Sequence, residues 1–189
     1  MHTKTVISIF SSLLLSSSLY ATCHTSDNLD ITWTSYKTPL KKGVSGTFDK
    51  VKFLHFKKGS VRDILLNNEA LIASSSVNSE NSDRDRKLWE SFFGLMLSER
   101  IDTKITAVNG DDTSGIISLN ITMNKVSRTV PMRYSVKDNI ISAKGVLDLF
   151  DFTMQKSLLA INKACFDLHE GKTWSDVTIE FTLPVSCAK

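Results

Sequence analysis

The feature that most constrains this chain is a period-two alternation of apolar residues that recurs from Leu29 almost to the C-terminus. Ile117, Leu119, Ile121 and Met123 form the clearest run, separated by Ser118, Asn120 and Thr122. Successive side chains of a strand point to opposite faces, so such a run has one face to bury and one to wet. Leu29, Ile31 and Trp33 mark a first strand in the same way. Val44, Gly46 and Phe48 open a second, which Val51 and Phe53 continue after a change of phase, as a bulge would produce. Ala70, Leu71 and Ile72 start a third. Ile101, Thr103, Ile105 and Ala107 share one face of the fourth, and Asn109-Gly110 signals a tight turn at its end. Beyond the fifth, Val126, Val130, Met132, Tyr134 and Val136 mark the sixth. Ile141, Ala143, Gly145, Leu147 and Leu149 mark the seventh. Val177, Ile179, Phe181 and Leu183 form the last, and Pro184 is expected to end its pairing. Eight short strands joined by turns predict an all-β antiparallel sandwich or barrel, and periodicity alone does not choose between them.

Three stretches break the alternation. Ser60 is placed to cap a short helix running to Asn67. Residues 83–97 carry Leu88, Phe92 and Leu95 at helical spacing, with Trp89, Phe93 and Met96 one position on. Residues 156–170 carry Leu158, Leu159, Ile161, Cys165, Phe166 and Leu168, and Gly171 is a natural C-cap. Short helical connectors are therefore expected near 83–97 and 156–170.

The N-terminus reads as an export signal. His2 to Lys4 form a short polar, basic start, Val6 to Leu15 an apolar run, and Leu19-Tyr20-Ala21 a cleavage site with a small final residue. That run is far shorter than the roughly 20 residues a spanning helix needs. Residues 1–21 are thus expected to be a signal peptide and residues 22–189 one domain, periplasmic or secreted. A retained anchor, or lipidation at Cys23, stays open as an alternative.

Removing residues 1–21 takes away one cation, Lys4, so 23 basic against 20 acidic residues become 22 against 20. So small an excess gives no electrostatic footprint for nucleic acid. Lys37, Lys41, Lys42, Lys50, Lys52, Lys57 and Lys58 make the first third basic, which suits a solvated face or transient contact with anionic lipid head groups. Three cysteines remain, Cys23, Cys165 and Cys187; in an oxidising compartment they imply one disulfide and one leftover thiol. Their spacing matches no zinc pattern.

No catalytic constellation stands out. His169-Glu170 lacks the second histidine that a zinc-protease helix needs, and Cys165 with His169 lacks an orienting third group. His169 is expected at a solvated helix end, and His55 in a strand or loop. Asp83/Asp85 and Asp111/Asp112 lack the pattern of a calcium loop and read as turns. No metal or other cofactor is expected.

Val44-Ser45-Gly46-Thr47-Phe48, then Arg84-Asp85 followed by Phe92-Phe93, then Leu119-Asn120-Ile121-Thr122 stand in an order and spacing that resembles the YceI-like family. The resemblance runs from about Leu29 to Leu183. Asn124 stands where that family has a turn glycine, and asparagine tolerates the left-handed conformation. A later element of the family survives only as Phe150-Asp151-Phe152, without its arginine and glycine. The stretch Cys165 to Trp174 resembles a variant found in some exported members.

The resemblance implies an eight-stranded lipocalin-like barrel that holds a polyisoprenoid or other long-chain amphiphile without catalysis. Inward parity then nominates Trp33, Phe48, Ile105, Leu119, Ile121, Met132, Tyr134 and Leu147 as lumen residues, with Phe92 and Phe93 at the wall or mouth. Arg84 and Asp85 are expected to fix the connector by charge-assisted hydrogen bonds. Two rival functions remain: a barrel filled by its own side chains that serves as an interaction module, and a lipid-modifying enzyme. A homodimer is compatible with the resemblance. In such a barrel the first strand pairs with the last, which favours Cys23–Cys187 with Cys165 free. Cys165–Cys187 and Cys23–Cys165 are the other pairings.

Overall fold

The computed structural model describes residues 22–54 and 57–188, so the expected signal peptide and His55 lie outside the described residues. Twelve strands are present among them: β1 (Thr22–Thr25), β2 (Asp30–Lys37), β3 (Lys42–Phe48), β4 (Val51–Leu54), β5 (Lys58–Gly59), β6 (Glu69–Ala73), β7 (Val77–Asn78), β8 (Arg100–Gly110), β9 (Ser114–Met123), β10 (Val126–Lys137), β11 (Ile140–Asp148) and β12 (Thr173–Ala188). Three α-helices interrupt them: α1 (Val61–Leu66), α2 (Ser82–Ser91) and α3 (Gln155–Ala164).

The sheet is antiparallel and runs β4-β6-β8-β9-β10-β11-β12-β2-β3-β7. At one edge stands β4, and near the other, inside only the short β7, stands β3; the two are consecutive in the chain, separated by only Asp49 and Lys50. Here the alternation changes phase. Rather than bulging within one ladder, the chain bends so that β3 pairs with β2 and β4 pairs with β6. The bend is pinned by Asp49 N–H donating to the Ser76 carbonyl (2.9 Å) and Ala73 N–H to the Lys50 carbonyl (3.0 Å). Counted as one bent strand, β3 and β4 bring the long strands to the expected eight, curled in lipocalin-like form. The short β1, β5 and β7 were not legible in the sequence.

Two tight hairpins set the register. Asn124-Lys125 (φ 53° and 62°) joins β9 to β10, and Asp138-Asn139 (φ 52° and 62°) joins β10 to β11. Positive φ at both central residues matches the right-handed twist of the flanking strands.

Other expectations are corrected. The turn after β8 is not at Asn109-Gly110 but one step on. Asp111 accepts there from Thr113 N–H (2.8 Å), the Thr113 hydroxyl (2.6 Å) and Ser114 N–H (3.0 Å). Those hydrogen bonds, the Thr113 hydroxyl first, hold the Asp111 carboxyl below its ordinary pKa. The register of β8 shifts between Ile105 and Ala107, so Val108 is buried and Ala107 is exposed. Pro184 does not end the last ladder: it pairs with Ile140, and β12 continues beside β1. That continuation places Cys23 directly opposite Cys187, and the two form the disulfide while Cys165 is a buried free thiol.

The helices are shorter than the spacing predicts. Within 83–97, α2 stops at Ser91; Phe92 leaves the helix at φ −134°, ψ −73°, and a single 3-10 turn covers Phe93–Leu95. This break lets two consecutive rings, each 8% exposed, both enter the core. Within 156–170, α3 ends at Ala164 and a 3-10 turn covers Asp167–His169. α1 matches its expectation, with Ser60 and Asp63 forming a reciprocal capping box. It covers one end of the barrel, burying Val61, Ile64 and Leu65 while the Arg62 guanidinium donates to the Val108 carbonyl (2.6 Å).

Candidate functional site

Inside the curled sheet the side chains do not fill the interior. A cavity of about 380 Å³ remains between the sheet and the α2–α3 connectors. Its walls are apolar by parity: Trp33, Ile105, Leu119, Ile121, Met132 and Leu147 face inward from five strands, β2 and β8 to β11. The connectors close it with Leu88, Phe92 and Phe93 on one side and Leu158 and Ile161 on the other. Phe93 meets Phe92 edge-on at 5.0 Å and Phe48 edge-on at 5.7 Å, the arrangement that ring quadrupoles favour.

The motif glycine Gly46 explains itself here. A Cβ at this position would lie 2.4 Å from the Trp33 ring and 2.6 Å from the Asn78 carbonyl oxygen. Only a bare backbone lets the Trp33 ring approach this closely while its indole N–H donates to the Thr47 carbonyl (3.2 Å).

The connector is anchored as its charges suggest. The Arg84 guanidinium donates to the Ser79 hydroxyl and to the Ser79 carbonyl, both at 2.7 Å. Asp85 accepts from Ser79 N–H at 2.9 Å. Two oppositely charged side chains thus grip one buried serine and fix where α2 crosses the cavity. Asn124 adds a second tie that its turn role did not announce. Its side-chain oxygen accepts from Leu97 N–H (2.8 Å) while its amide donates to the Phe152 carbonyl (3.1 Å).

The exposed residues on the lining are Asn81, Asp83 and Leu168, which locate the mouth between α2 and the segment leading into β12. Lys37, Lys87, His169 and Trp174 complete its rim. Lys41 and Lys172 stack on the Trp174 ring at 5.0 and 4.6 Å, and Trp174 N–H donates to the Thr38 carbonyl (2.9 Å). His169 is half-buried rather than at a solvated helix end, with its Nδ1 2.7 Å from the Thr173 hydroxyl. Burial, reinforced by Lys37 and Lys87, lowers its pKa.

Of the residues nominated for the lumen, Trp33, Phe48, Phe92, Phe93, Ile105, Leu119, Ile121, Met132 and Leu147 line this cavity. Tyr134 does not. Its ring plugs the barrel end opposite the mouth, against the bare backbones of Gly110 and Gly115, and its hydroxyl donates to the Asp111 carbonyl (2.6 Å). Asn68 lines the cavity too and was not foreseen, because Asn67-Asn68 after a short helix reads as an ordinary turn.

The family model for the YceI-like domain matches residues 23–185. A search of curated proteins found no match. Among solved structures, the chain is similar to a polyisoprenoid binding domain from Saccharophagus degradans implicated in plant cell wall breakdown. The TM-score is 0.60 at 12% identity, covering 90% of this chain and 99% of that one. Burkholderia cenocepacia BcnA gives a TM-score of 0.59 at 12% identity, with 84% and 96% covered. A Campylobacter jejuni YceI protein gives 0.55 at 16% identity, with 78% and 86% covered.

Proposed function

The chain belongs to the YceI-like domain family, and from that premise we propose that it is a non-catalytic carrier of a polyisoprenoid or similar long-chain amphiphile. The observation that carries this reading is the apolar cavity of about 380 Å³, within the size range of ligand pockets. Burying a chain there yields about 0.8 kcal/mol per methylene, so ten such groups contribute roughly 8 kcal/mol gross. Association and ordering remove several kcal/mol of that, so ten methylenes alone bind weakly, and micromolar affinity, about 8 kcal/mol net, calls for a chain roughly twice as long. The exported, periplasmic setting read from residues 1–21 fits a carrier that moves such a chain between membranes.

The rim supports transient contact with a membrane surface. Leu40 (91% exposed), Phe166 (59%) and Leu168 (61%) present apolar tips beside Lys41 and Lys172. Such tips can enter a bilayer interface while the lysines meet anionic head groups. Native mass spectrometry after mild extraction tests the carrier reading. A co-purifying apolar species is expected. A chain that stays empty even when offered isoprenoid alcohols would favour an interaction module, and turnover of a lipid ester would favour an enzyme.

A further inference from the structure

Asn68 is the anomaly of the cavity wall. It is 6% exposed and lies between α1 and β6, at the barrel end covered by α1. Its backbone is fully used: its N–H donates to the Leu65 carbonyl (3.2 Å) and its carbonyl accepts from Ile105 N–H (3.3 Å). Among the described residues, its side-chain oxygen is buried with no hydrogen-bond partner. Around it the wall is apolar, with Phe53, Ala70 and Ile105 lining the same cavity. Two polar lining groups on β6 and β8 are already engaged, Thr103 with the Ala70 carbonyl and Glu69 with Lys104. An amide kept in such a place without a partner costs stability, since a buried polar atom forfeits its hydration.

We propose that Asn68 is the polar anchor of the cavity and that it binds a hydroxyl carried by a long apolar ligand. The inference rests on the carrier reading and names the ligand class: a long-chain alcohol whose oxygen reaches the α1 end. A hydroxyl supplies the donor that the unpaired amide oxygen lacks. A half-turn of the amide about its last torsion also offers the hydroxyl an N–H. A charged head group is disfavoured here, because a neutral amide cannot replace the hydration an ion would lose. A pure hydrocarbon would fill the space and leave the amide unsatisfied.

The test compares farnesol with the same chain lacking the hydroxyl, each displacing an apolar fluorescent probe from wild type and from Asn68→Leu. The ratio of hydrocarbon Kd to alcohol Kd is expected to fall about tenfold in the variant, the loss of one hydrogen bond. Hydrocarbon binding itself should persist. The variant should melt no lower than wild type, since the side-chain oxygen removed has no partner among the described residues. Asn68→Ala, which cannot crowd the wall, should reproduce the drop in ratio. An unchanged ratio in both variants overturns the anchor while leaving the carrier reading intact. If neither probe binds wild type, both fall together.

Discussion

Asn124 offers the sharpest test of how the barrel and its connectors are held together. The residue is 7% exposed, sits at φ 53°, and ties the hairpin to Leu97 and to Phe152 through its side chain. Replacing it by glycine keeps the left-handed backbone free of strain but removes every side-chain bond. The Leu97 N–H and the buried Phe152 carbonyl then lose their partner, and an unsatisfied buried group costs about 1–3 kcal/mol. Partial hydration at Leu97 lowers its share, so Asn124→Gly should cost about 2 kcal/mol, or roughly 4–8 °C in Tm for a domain of this size. Asn124→Ala should cost about 1 kcal/mol more, because a Cβ without a polar tip is strained at positive φ. Urea unfolding of the two variants beside wild type measures this, with the midpoint falling and the slope unchanged. If the glycine variant, which restores the residue the family resemblance expects, is as stable as wild type, the turn conformation alone explains Asn124 and the tie is idle. Equal losses in both variants would instead remove the strain argument.

Replacing Cys23 and Cys187 together by alanine should destabilise by up to about 5 kcal/mol, since the bridge closes a loop with a sequence separation of 164. Non-reducing peptide mapping should join these two cysteines and leave Cys165 unmodified until the protein is unfolded; a peptide joining Cys165 to either would refute the pairing. Phe93→Ala should cost about 3–5 kcal/mol and weaken binding of an apolar probe, because the ring is both core and cavity wall; wild-type melting and binding would show that the ring is dispensable. His169 has a lowered pKa in the folded state, so the unfolded chain binds the proton more readily. Stability should therefore fall as pH drops through the ordinary histidine range near 6.5 and level off below the folded pKa. His169→Gln should flatten that part of the pH profile, and an identical slope would assign the effect to other groups.

Alternation by itself determined the eight long strands, because side-chain direction along a strand is a local property that needs no partner. The capping box at Ser60 and Asp63 was equally local, and so was the inward parity of Ile117 to Met123. The disulfide followed from one topological premise, that first and last strands meet. What pairing decides was hidden. Thr106 drops out of the ladder with its hydroxyl donating to the Ser118 carbonyl (3.1 Å), and the face beyond it flips from Ala107 to Val108. The bend at Asp49-Lys50 exists only because β6 and β2 are both in place to claim its two halves. The same holds for the candidate site. The greasy wall residues were readable one strand at a time, whereas the mouth joins Lys37, Lys87 and His169 from distant segments. Tyr134 shares the parity of Met132 yet leaves the cavity, because two glycines on neighbouring strands make room for its ring at the barrel end. Asn68 looks like a turn residue in sequence, and only the folded sheet shows that its amide oxygen lies buried on an apolar wall, without a partner among the described residues.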